Sequence, residues 1–124
     1  SMGNPSRETV TVTTDGSGDA TAYSGRLTGL IAAIRYVKAS SGSYSDGVDF
    51  VISCEDSAML IWDEDNVNAS TVRYPRCAVH DSVGVAISGG YSPIALFGER
   101  VKIVIASGGS AKTGTFEILL VPAG

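Results

Sequence analysis

The stretch ASGGSAKTGT, Ala106 to Thr115, sets glycines, a lysine and a threonine in an order that resembles a phosphate-binding loop. Such a loop needs G-x-x-x-x-G-K-[ST] between a strand and a helix, because backbone N–H groups and the helix N-terminus hold the phosphates. Here Lys112 and Thr113 supply the last pair, but Ala106 and Ala111 stand where the two fixed glycines belong. The segment that follows alternates like a strand. Nucleotide binding is therefore not expected, and the stretch reads as the turn of a final hairpin with Lys112 at its tip.

Three other stretches carry reactive types. His80, Asp81 and Ser82 are the residues of a hydrolytic triad, but they are consecutive, and neighbours in an extended chain point to opposite sides. His80 is the only histidine. DEDNVN, from Asp63, and DGSGDA, from Asp15, group oxygen ligands as a hard cation requires. Both miss the glycine of an EF-hand loop: Asn68 and Ala20 occupy its place, and Arg26 stands where the closing glutamate should be. Both read as surface turns. Asn68–Ser70 matches a glycosylation acceptor, a pattern common by chance. No catalytic residue, metal or cofactor is expected.

Trp62, Arg73, Tyr74 and Arg76 are of the types that dominate protein interfaces. With His80 and Lys112 they form the candidate interaction set. Aromatic residues at a sandwich edge can also stack on sugars, which keeps a glycan partner for Trp62 open, as does a plain core role.

The elements that position these residues are strands. TVTVTT alternates Val10 and Val12 against Thr9, Thr11 and Thr13, a period of two in β-branched residues. DGSGDA then predicts a turn and TAYS a short return strand. Leu27–Ser40 fits a helical or an extended face; Gly29 and three β-branched residues favour a long strand. VDFVISCE and AMLIW follow, then a polar loop over Asp63–Ser70. TVRYP is limited to an edge or a strand end by Pro75. VGVAIS, PIALF, RVKIVIA and TGTFEILLV complete eight or nine strands with no secure helix. The expected fold is an all-β antiparallel sandwich of jelly-roll type.

The 124 residues predict one domain over 4–124, with Ser1–Gly3 reading as an expression-tag remnant. No apolar run approaches the roughly 20 residues of a membrane-spanning helix. Thirteen acidic against nine basic residues give a net charge of −4, a poor match to nucleic acid. Charged residues make up only 18%, and a surface so poor in charge is less protected against association. Arginines outnumber lysines six to three, which suits bidentate pairing at interfaces. A homo-oligomer, dimer or trimer, is expected. Cys54 falls in an apolar strand and reads as a small core residue; with Cys77 it makes no disulfide framework.

AIRYVK, SDGVDFVISCEDS, IWDEDNVNASTVRYPRCAVHD and ERVKIVIASGGSAKTGTFEILL resemble a family of small virion structural proteins of tailed bacteriophages and prophages. The resemblance runs from about Thr9 to Val121 and includes Tyr74-Pro75-Arg76, His80 and Gly108–Phe116. The segment VGVAISGG departs from it. The resemblance implies a capsid decoration or cement protein, made in the bacterial host and bound to the major capsid protein on the head surface. It implies no catalytic residue, and it adds weight to Tyr74, Arg76 and His80. A carbohydrate-binding or host-adhesion module is the alternative expectation.

Overall fold

A computed structural model describes residues 3–122. It contains no helix among them; eight strands carry the chain. They are β1 (Ser6–Thr13), β2 (Ala20–Lys38), β3 (Val48–Cys54), β4 (Leu60–Val67), β5 (Thr71–Arg73), β6 (Arg76–His80), β7 (Ala86–Ala106) and β8 (Thr113–Val121). Alternation dictates most of them. In β8, Phe116, Ile118 and Leu120 are buried while the residues between them are half-buried, as a strand with one face on a core requires. The same holds for Val101, Ile103 and Ile105 of β7, and Val48, Phe50, Ile52 and Cys54 of β3 are likewise buried, with Val51 between them exposed.

The strands form one antiparallel sheet in the order β1-β8-β2-β7-β3-β4, with β5 beside β2 and β6 beside β7. The sheet folds over on itself. Phe50 of β3 lies edge-on to Phe116 of β8, with ring centroids 5.0 Å apart, although β3 and β8 share no ladder. Tyr36 of β2 meets Phe50 at 4.9 Å and stacks on Tyr44 at 5.9 Å. These contacts cross the interior, so the architecture is a two-layer β-sandwich around one aromatic and aliphatic core, in agreement with the expected class. Tyr44 is buried, and its hydroxyl donates to the carbonyl of Val12 at 2.6 Å; burial pushes its pKa far up.

β2 is the hinge between layers. Residues 20–31 pair with β7, and residues 30–38 pair with β8. The change-over sits at Gly29, whose φ is +135°. A Cβ there would stand 2.8 Å from the carbonyl oxygen of Val121, so only glycine lets the two backbones approach.

Four expectations are corrected. TAYS and Leu27–Ser40 are one strand, continued through irregular pairing near Tyr23–Arg26. Ala86–Ser88 of VGVAIS, PIALF and RVKIVIA are parts of the single β7, while Val83–Val85 lie in the turn before it. The acidic run from Asp63 belongs to β4 rather than to a loop. ASGGSAKTGT is not a hairpin turn, because β7 and β8 do not pair; β8 lies between β1 and β2. The stretch instead crosses from one strand partnership to another.

Candidate interaction surface

The strand register locates an arm. Arg73 of β5 pairs with Ile34 of β2, and Ile94 of β7 pairs with Ile31 of the same strand. The chain thus leaves the flank of β2 at Arg73 and rejoins it at Ile94, only three positions away. The intervening residues form a two-stranded excursion, in which β6 pairs with the first part of β7. Arg76 faces Pro93, Cys77 faces Ser92 and Ala78 faces Tyr91. β6 makes extended contact with β7 alone, and residues 86–93 of β7 have no other ladder among the described residues. Both edges of the arm are open.

Its composition is unusual for an exposed ribbon. From Ser82 to Gly98 no residue carries a charge. Val83 is 80% exposed, Tyr91 68% and Phe97 74%, and Val85 and Ile87 are also exposed. Exposed strand edges are normally guarded by charged residues or proline, and a lone two-stranded ribbon is marginal in water. The turn at its tip is closed locally. The carboxylate of Asp81 accepts the amides of Val83 and Val85, each at 3.0 Å.

The arm continues into an apolar face of the sandwich. Tyr91, Pro93, Ala95 and Phe97 alternate on one side of β7, opposite the buried Ile94 and Leu96. Residues paired directly across a ladder share a face. Ala95 pairs with Leu30, and Leu30 pairs with Val121, so this side runs across three strands. Beyond it opens a groove of about 590 Å³ whose lining includes Pro5, Arg7, Ala32, Leu119 and Val121. At its lip Arg7 approaches Glu117 at 3.7 Å, and Arg35 holds the same carboxylate at 2.5 Å.

The sequence-expected residues divide among three places. Tyr74, Arg76 and His80 are exposed on the arm; Arg76 donates to the carbonyl of Pro75 at 2.8 Å. Trp62 and Arg73 belong to the body, and Trp62 is not an exposed contact or sugar platform. It is 5% exposed, edge-on to Phe50 at 5.5 Å. Its register partner is the core residue Ile52, which fixes its inward direction. Its indole N–H donates to Glu64 Oε1 at 3.0 Å, and Arg73 forks onto both oxygens of that carboxylate at 2.7 Å. The arginine holds the Glu64 carboxyl below its ordinary range. The guanidinium also lies 6.0 Å from the Trp62 ring centre. This cluster ties β5 to β4, so Arg73 is already paired within the chain.

Lys112 lies at the far end of β8 from the groove. Its amide donates to Thr14 Oγ1 at 2.9 Å, and its carbonyl accepts the Thr14 amide at 2.8 Å. The residue is half-buried rather than a free loop tip. The neighbouring amides of Gly108, Ala111 and Thr113 donate to the carbonyls of Gly18, Asp15 and Gly42. Donors used in this way do not form a phosphate cradle.

The other reactive stretches are structural too. Asp15 Oδ1 accepts the amides of Ser17 and Asp19 at 2.8 and 3.1 Å, and these bonds lower its pKa. Asp81 is turned into its own loop, so His80, Asp81 and Ser82 do not converge. Among the described residues no group of three or more His, Cys, Asp or Glu side chains gathers as a metal site. Cys54 is buried in the core, as expected, and burial raises its thiol pKa. The residues that sequence reasoning missed are Tyr91, Phe97, Val83, Val85 and Ile87. The available signal was the charge-free run from Ser82 to Gly98.

No family model matches the chain, and no curated protein matches it. A solved structure described as the crystal structure of FlhE is similar over 96% of this chain and 99% of its own, with a TM-score of 0.47 and 10% identity. A likeness at that level assigns no role to this chain. The match is to FlhE and not to a phage head or tail protein. The expected function, a capsid decoration or cement protein with a virion adhesion module as its alternative, is therefore corrected and withdrawn.

Proposed function

We propose that this protein is a non-enzymatic, self-assembling structural module that works by contact between copies. The observation that carries the reading is the arm: a two-stranded ribbon with open edges, no charge from Ser82 to Gly98, and exposed Val83, Val85, Ile87 and Tyr91. Leaving such a surface in water forgoes roughly 25 cal/mol for every Å² of apolar area that a partner would cover. The reactive residue types support the same reading by their engagements. Asp15 and Asp81 close turns, Glu64 and Arg73 hold each other, and the amides around Lys112 are spent on the fold.

The test is the mass of the full chain in solution, by light scattering or sedimentation equilibrium across a wide concentration range. A multiple of 12.8 kDa that dissociates on dilution is expected. Ile87→Asp and Val85→Asp place a charge on the arm without touching the core. They should shift the association towards monomer by at least roughly tenfold. A mass of one chain at every concentration, or association indifferent to both changes, overturns the reading.

A further inference from the structure

We infer that two copies embrace reciprocally, each laying the Tyr91 face of its arm into the Pro5–Ala32–Leu119–Val121 groove of the other about a two-fold axis. This rests on the self-assembly proposed above and names its seat. The first support is placement. β5 and the returning β7 flank one side of β2, while β8 and β1 flank the other. A chain's own arm therefore projects away from its own groove, and the seat is available to a second copy.

The second support is that knob and seat share a face. Tyr91 and Ala95 lie on the same side of β7, and the row Ala95–Leu30–Val121 carries that side across to the groove. A two-fold axis lying in this face and bisecting the directions of arm and groove exchanges the two. Each arm then covers the other copy's groove, and the assembly closes at two chains. Had no two-fold axis exchanged knob and seat, the same contact would have run head to tail, into a ring or an open chain.

The third support is area and charge. Tyr91 and Phe97, at 68% and 74% exposure, each offer on the order of 100–180 Å² of the 150–250 Å² that an aromatic side chain buries. The arm's valines and isoleucine and the groove lining carry each copy towards the ~800 Å² per partner of a stable interface. Seating buries little charge. The arm brings none between Ser82 and Gly98; Arg76, the exposed ladder partner of Pro93, stands on the same face at the arm's root and must stay at the rim of the contact, and Arg7, the charged residue lining the groove, keeps Glu117.

A cross-link tests the seat directly. Ala78 is the exposed ladder partner of Tyr91, on the same face, and Ala32 lines the groove. In a Cys77→Ser background, Ala78→Cys combined with Ala32→Cys should give a covalent dimer under mild oxidation, reversed by reductant. Either change alone should give none. In parallel, Tyr91→Ala should weaken the dimer at least roughly tenfold. A chain that still dimerises by mass but does not cross-link in the double variant overturns the seat and leaves self-assembly standing. So does a covalent dimer from Ala78→Cys alone, which would mean that arms pair with arms. A chain that is monomeric at every concentration removes both readings together.

Discussion

Trp62, Glu64 and Arg73 show how a set of interface-type residues can be spent inside one chain. The indole is buried against Phe50, its N–H is satisfied by Glu64, and Arg73 closes the fork. Trp62→Ala should therefore cost about 3–5 kcal/mol of stability, read as a lower urea midpoint. A change within about 0.5 kcal/mol would contradict the core role. The carboxylate adds a pH signature. Arg73 depresses the folded-state pKa of Glu64 below 4.5, so its contribution is present above that value and lost as pH falls through the lowered one. Because the Arg73 side chain is 46% exposed, screening limits that contribution to about 1 kcal/mol or less. Glu64→Gln should lower stability at pH 7 and narrow the difference between pH 7 and strong acid; an unchanged difference would remove the pair from the account. In the sequence, Trp62 and Arg73 read as readily for an interface as for a core, because both environments favour the same types. What separates them is the register of β4 on β3, which sets Trp62 opposite Ile52, and no local pattern reveals a register.

At the level of elements, two features decide the shape. Gly29 lets β2 pass between β7 and β8, and Gly29→Ala would add φ strain of about 1–3 kcal/mol to a clash with the Val121 carbonyl. A thermal midpoint within a degree of the parent would contradict that reading. The arm is the second feature. Replacing residues 77–92 by Asn-Gly should leave a folded sandwich, because Arg73 and Ile94 stay anchored on neighbouring positions of β2. The shortened chain should unfold cooperatively and remain monomeric; loss of folding would show the arm to be part of the core. Strand content was legible because β-branched alternation is a local signal, as in β1, β3 and β8. Pairing was not. Glycine and proline punctuate β2 and β7 at Gly25, Gly29, Pro93 and Gly98, and a local reading takes these as turns between short strands. In the fold they mark irregular pairing, the layer change and the root of the arm. The hairpin expected around Lys112 failed for the same reason: β8 pairs with β1, whose residues stand about a hundred positions earlier.

The whole molecule is acidic, poor in charge and without a converging reactive constellation among its described residues. Low charge reads as a surface less protected against association, but it names no place. The ladders show that most of one uncharged run, Ser82–Gly98, leaves the sandwich as the arm. On the proposed reading another copy of the chain covers this arm, and backbone hydrogen exchange followed at several protein concentrations tests it. Amides of residues 76–92 and those lining the groove should gain protection together as concentration rises, while the core amides of β3 and β8 stay unchanged. Arm amides that exchange equally fast at every concentration would contradict it.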